Sequence, residues 1–185
     1  MRWRTLATAI AAILALGAIL WLGFGSPPIA VLAWTDDQRA IQSYSIDAAA
    51  LKEVQAHLVT TWQGALNETD PEPFQEHLAD HVLPAMTAYV TRLETLPTQT
   101  MAIAAIHGPY AAAWRRTLTT FEASLLDPSA TSGDALLDPL ITELTRAVEA
   151  GTLYRTALED LCAEHEITLT DTLSAPPISS GEPAP

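Results

Sequence analysis

The sequence predicts an all-α protein: an N-terminal transmembrane helix, then an up-down four-helix bundle with proline kinks, then a disordered C-terminal tail. Three observations predict it. A single uncharged apolar run stands near the start, from Leu6 to Phe24. Four later segments carry apolar residues three or four positions apart, the spacing of one helix face. Between them stand Pro-, Asp- and Thr-containing corners, and no stretch shows the period-two alternation of a strand.

The apolar run reads LATAIAAILALGAILWLGF. Its 19 residues, at about 1.5 Å each, nearly cross a hydrocarbon core of about 30 Å. Arg2 and Arg4 precede it and Asp36 and Asp37 come after it. The positive-inside rule therefore predicts a cytoplasmic N-terminus and an extracytoplasmic remainder, periplasmic in a Gram-negative cell. Trp3, Trp21 and Trp34 fall near the expected interfaces. The competing reading is a signal peptide cleaved after Ala33, although signal h-regions usually run only about 7 to 15 residues. Both readings export the C-terminal remainder of the chain. Residues 1–28 are thus expected to be the anchor, with membrane contact through residues 5–24 and its helix ended by Gly25-Ser26-Pro27-Pro28, and residues 29–44 a linker.

The bundle is expected over residues 45–168. Its first helix, from Ser45 to Leu66, places Ile46, Ala50, Val54, Leu58, Trp62 and Leu66 on a four-residue repeat. The second starts at Pro71, with Asp70 or Thr69 as N-cap, and turns Phe74, Leu78, Val82, Met86, Tyr89, Val90 and Leu93 inward. Pro84 should kink or interrupt it near residues 80–84. The third starts near Thr98 and turns Met101, Ile103, Ile106, His107, Tyr110, Trp114, Leu118, Phe121 and Leu125 inward, with a bend at Gly108-Pro109. The fourth runs from Asp134 or Asp138 to His165, with Leu137, Ile141, Leu144, Val148, Leu158, Leu161 and Cys162 inward and Gly151 weakening its middle. Residues 169–185 hold too few large apolar groups to fold.

Charge and motif content narrow the function. The 185 residues carry 22 acids against nine bases, a formal charge of −13, and two of those bases precede the apolar run. Such a surface repels phosphate, so no nucleic-acid partner is expected. The single cysteine, Cys162, excludes an internal disulfide framework and any CxxC site. There is no Walker lysine, no Gly-x-Ser-x-Gly elbow and no HExxH. The Glu-x-x-His pairs of di-iron bundles are missing too. No catalytic constellation is found, so no enzymatic activity and no cofactor are expected.

One constellation bears on chemistry. In Glu76-His77-Leu78-Ala79-Asp80-His81, His77 and His81 stand four apart and point the same way on a helix. They are candidate ligands for zinc or a similar divalent ion, with His57, His107 or Asp80 completing the shell. The alternative is that both are boundary residues, each with one nitrogen in water, and that His107 is a hydrogen-bonded core residue. Trp114, Tyr110 and Phe121 read as core, Arg115 and Arg116 as solvated, and Cys162 as buried and inert. The leading expectation is a membrane-anchored binding or scaffolding domain of the cell envelope with another envelope protein as partner. The alternative is a metal- or small-ligand-binding bundle with its site near His77, His81 and His107.

Overall fold

The computed structural model describes residues 34–68, 70–127 and 133–167. The anchor expected over residues 5–24 and the tail expected from residue 169 lie outside these. Among the described residues no helix is long and apolar enough to cross a membrane, and all regular structure is helical. The described helices are α1 (Asp36–Ala49), α2 (Leu51–Leu66), α3 (Pro71–His77), α4 (Leu83–Glu94), α5 (Met101–Leu126) and α6 (Gly133–Glu164). A π-helical turn, Leu78–Val82, joins α3 to α4. Since Ala50 keeps right-handed helical angles between α1 and α2, these helices form four rods: α1–α2, α3–α4, α5 and α6.

Successive rods pack on one another, α2 on α4, α4 on α5 and α5 on α6. Their short connections make neighbours antiparallel. The ends agree: Gln38, at the start of the first rod, donates from Nε2 to the carbonyl of His165 after the fourth, at 2.8 Å. Trp62 and Phe121, late in the first and third rods, meet edge to face at 6.3 Å.

The first rod begins earlier than its apolar repeat predicts, at Asp36 rather than Ser45. Thr35 and Gln38 form a capping box: the Gln38 amide N–H donates to the Thr35 hydroxyl, and Gln38 Oε1 accepts from the Thr35 N–H. Two of the free donors at the helix start are thereby satisfied. The part of the expected linker from Asp36 to Tyr44 is therefore helix, and Ile41 and Tyr44 are core. The inward face also differs. Tyr44, Ala48, Leu51, Gln55, Leu58, Trp62 and Ala65 are buried, whereas Ile46 is 53% exposed. A strict four-residue repeat gains about 40° on a 3.6-residue turn at each step, so a face that stays inward must alternate threes and fours.

The second rod keeps its four-residue repeat by another route. Phe74, Leu78, Val82, Met86, Tyr89, Val90 and Leu93 are all buried, as expected. The widened turn at Leu78–Val82, where the Leu83 N–H donates to the Leu78 carbonyl, takes up the drift. It ends just before Pro84, whose missing N–H suits a break in the α-helical ladder. At Pro109, by contrast, α5 runs on without interruption. Pro109 and Gly108 are exposed, and so is Ala105, whose carbonyl would otherwise accept from the N–H that proline lacks, so the gap in the ladder falls on the exposed side of the helix. Met101, expected inside, is 91% exposed at the first turn of α5. Thr100 caps that turn by accepting from the Ile103 N–H.

The fourth rod closes with a Schellman turn. The Ile167 N–H donates to the Cys162 carbonyl at 2.8 Å, Glu166 takes the left-handed conformation with φ 56°, and Ile167 is buried.

Candidate functional site

The π turn and α2 face each other across a groove of about 480 Å³, lined by His57, Thr60, Thr61 and Gly64 from α2 and by His77, Asp80, His81, Pro84, Ala85 and Ala88 from the second rod. Three of the five histidines of the chain stand here. His77 and His81 come together as the sequence spacing predicts, ring centroids 4.7 Å apart and edge to face. His57 and Asp80 line the same groove. His107 does not; it lies in the core, and the sequence expectation that it joins this set is corrected. The physical reason is the phase of α5, which turns His107 inward with Ile103, Tyr110 and Trp114.

Gly64 makes the groove possible. A β-carbon there would come within 3.0 Å of His77 Nε2, so the imidazole rests against bare α2 backbone. The other nitrogen, Nδ1, lies 3.7 Å from Glu68 Oε1 in the connection between the rods. Sequence pattern does not single out Glu68, Gly64 or Ala88. A glycine inside an apolar helical repeat, opposite a histidine pair, is the signal that marks such an approach. Among the described residues, no three His, Cys, Asp or Glu side chains stand close enough together to hold a metal ion.

A second constellation lies inside the bundle. The chain has four tyrosines, and each rod supplies one: Tyr44, Tyr89, Tyr110 and Tyr154. The Tyr44 hydroxyl lies 2.8 Å from both His107 Nδ1 and the Tyr154 hydroxyl. The Tyr89 and Tyr110 hydroxyls are 2.7 Å apart. Tyr110 stacks on Tyr154 at 4.9 Å, and Tyr89 meets Trp114 edge to face at 4.8 Å. All are buried. Burial pushes the phenols of Tyr44, Tyr89 and Tyr154 well above the ordinary tyrosine range and lowers His107, against a small opposing pull from Glu94. The cluster therefore stays neutral at pH 7. It satisfies buried polar groups across all four rods and so fixes their register.

The remaining candidates resolve as the sequence suggests. Arg115 forks onto Glu94, with Nε donating to Oε1 at 2.7 Å, and Arg116 Nε lies 3.8 Å from Glu143 Oε2. Cys162 is buried, and burial pushes its thiol up to about 11. The fold and groove thus define a four-rod helical bundle with a histidine-lined groove beside a π turn. Set against protein-family models, characterised proteins and solved structures, the chain matches none.

Proposed function

We propose that this chain is a membrane-tethered, non-catalytic binding domain of the cell envelope, and that its ligand site is the groove between α2 and the π turn. One observation carries the reading: the groove has small-ligand size, within the usual range of about 300 to 1,000 Å³, and gathers His57, His77, Asp80 and His81 with two threonines. A π turn supports it, because such turns cost helix stability and recur where a helix has a job beyond packing. The tyrosine cluster is a poorer site, being closed and internally bonded. The tether rests on the uncharged run Leu6–Phe24 and the arginines before it. A folded domain held at a membrane, whose sequence carries no recognisable catalytic motif, suits recognition rather than turnover.

The test is native mass spectrometry of the full chain in detergent against a library of small organic ligands. Ala88→Trp, an exposed substitution that fills the groove, should abolish the adducts while leaving helicity and Tm unchanged. Adducts that survive it, or none with the unsubstituted chain, overturn the groove as the site. Extraction of native membranes at alkaline pH tests the tether separately: the chain should stay in the pellet, and release into the supernatant removes the anchor.

A further inference from the structure

We infer that the groove binds a divalent transition-metal ion through the paired imidazoles of His77 and His81, with Glu68 positioning the first of them. The inference rests on the groove being the ligand site, and it names the ligand class. The two rings already touch, at 4.7 Å between centroids, so both belong to one small volume. The two nitrogens of His77 differ. Nδ1 faces the carboxylate of Glu68 at 3.7 Å, while Nε2 lies over the bare Gly64 backbone in the wall of the groove. A carboxylate beside one imidazole nitrogen is the arrangement that orients histidine ligands in metal sites.

The donor set selects the metal. Hard ions such as Mg²⁺ and Ca²⁺ need several oxygens, and among the groove side chains only Asp80 is a carboxylate. Imidazole suits Zn²⁺, Ni²⁺ and, above them in affinity, Cu²⁺. The net charge of −13 raises the local concentration of any cation. Because no three His, Cys, Asp or Glu among the described residues stand close enough together to hold an ion, the protein supplies two nitrogens and water fills the other positions. Such a site exchanges its ion readily. It differs from the closed four-ligand shell of a structural zinc.

The experiment titrates the full, untagged chain with Cu²⁺, Zn²⁺ and Mg²⁺ by calorimetry, and reads the Cu²⁺ nitrogen count by electron paramagnetic resonance. One Cu²⁺ should bind with two nitrogen ligands, Zn²⁺ more weakly, and Mg²⁺ not at all. His77→Gln and His81→Gln should each weaken Cu²⁺ at least about 10-fold and remove one nitrogen, and Glu68→Gln should weaken it about 10-fold with the nitrogen count kept. Circular dichroism checks that each variant folds, and His165→Gln, at the end of α6 and outside the groove lining, serves as a control with unchanged Cu²⁺ nitrogen count. Equal affinity in the His77 and His81 variants, or a nitrogen count they do not change, overturns the assignment. If no metal binds while Ala88→Trp still abolishes organic adducts, the metal assignment falls and the groove reading stands. Failure of both experiments removes both.

Discussion

The Tyr44 hydroxyl and His107 Nδ1 lie 2.8 Å apart inside the bundle, which makes the proton count of one imidazole a condition of folding. Burial lowers the His107 pKa, so the folded chain binds that proton less readily than the unfolded chain, whose histidines titrate near 6.5. The unfolded state therefore holds more protons as pH falls below about 6.5, and stability falls with it. The contribution is complete above that pH and is lost as pH drops through the lowered value. Tm measured from pH 7.5 to pH 5 should fall more steeply for the unsubstituted chain than for His107→Gln. Parallel curves would show that His107 carries no pH dependence.

Tyr44 bridges two partners, so its removal takes one hydrogen bond from each. Tyr44→Phe removes the hydroxyl that bonds both His107 Nδ1 and the Tyr154 hydroxyl, and a lost buried hydrogen bond costs about 1–3 kcal/mol when a polar group stays behind. Urea unfolding should show a loss of about 2–4 kcal/mol. Tyr154→Phe in the same chain should then cost less than it does alone, because the hydroxyl it removes has already lost its bond to Tyr44. Additive losses would mean that the two hydroxyls are not coupled.

Cys162 offers a probe of opening. Its thiol is buried and pushed up to about 11 by desolvation, against an opposing hydrogen bond from Ser45. At pH 8 the thiolate fraction is small and the sulfur inaccessible, so Ellman's reagent should react only as fast as the α1–α6 contact opens, and immediately in denaturant. A rapid reaction in the native protein would place Cys162 at the surface.

At the end of α6, Glu166 holds a left-handed backbone, φ 56°, that costs an L-residue about 1–2 kcal/mol. Glycine takes that conformation freely and is the usual residue at this point of a Schellman turn. Glu166→Gly should therefore raise stability by about 1 kcal/mol, read as a higher urea midpoint with unchanged m-value. A decrease would mean that the Glu166 side chain stabilises the turn by more than its backbone strain.

The second rod shows how far pattern reading reaches. Its apolar repeat, the Asp70-Pro71 start and the break before Pro84 are all written in local chemistry, and the structure has each. The histidine pair is legible for the same reason, since four-residue spacing fixes a shared direction. What sequence does not supply is the partner across the groove: that Gly64 lies under His77 depends on how two rods register, a long-range property. The tyrosines show the same limit. Tyr89 and Tyr110 fall on obvious stripes. Tyr44 stands in a turn of helix that only the Thr35–Gln38 capping box reveals, and Tyr154 falls outside the apolar positions expected of the fourth helix. That all four meet in one cluster is a consequence of packing alone.

Gly151 turns that packing into a measurable sign. In most helix interiors, replacing glycine with alanine stabilises by up to about 1 kcal/mol. Here the new β-carbon would stand 3.2 Å from Cε2 of Tyr110, tighter than ordinary van der Waals contact. Tyr110 has little room to yield, since its hydroxyl is bonded to Tyr89 and its ring is stacked on Tyr154. Overpacking a fixed ring costs about 1–3 kcal/mol, which exceeds the propensity gain. Gly151→Ala should therefore destabilise by about 1 kcal/mol in urea unfolding. In a Tyr110→Leu background the shorter side chain leaves the space free, and the same substitution should become stabilising. A gain in both backgrounds would mean that the Tyr110 ring moves aside and that the cluster is not rigid.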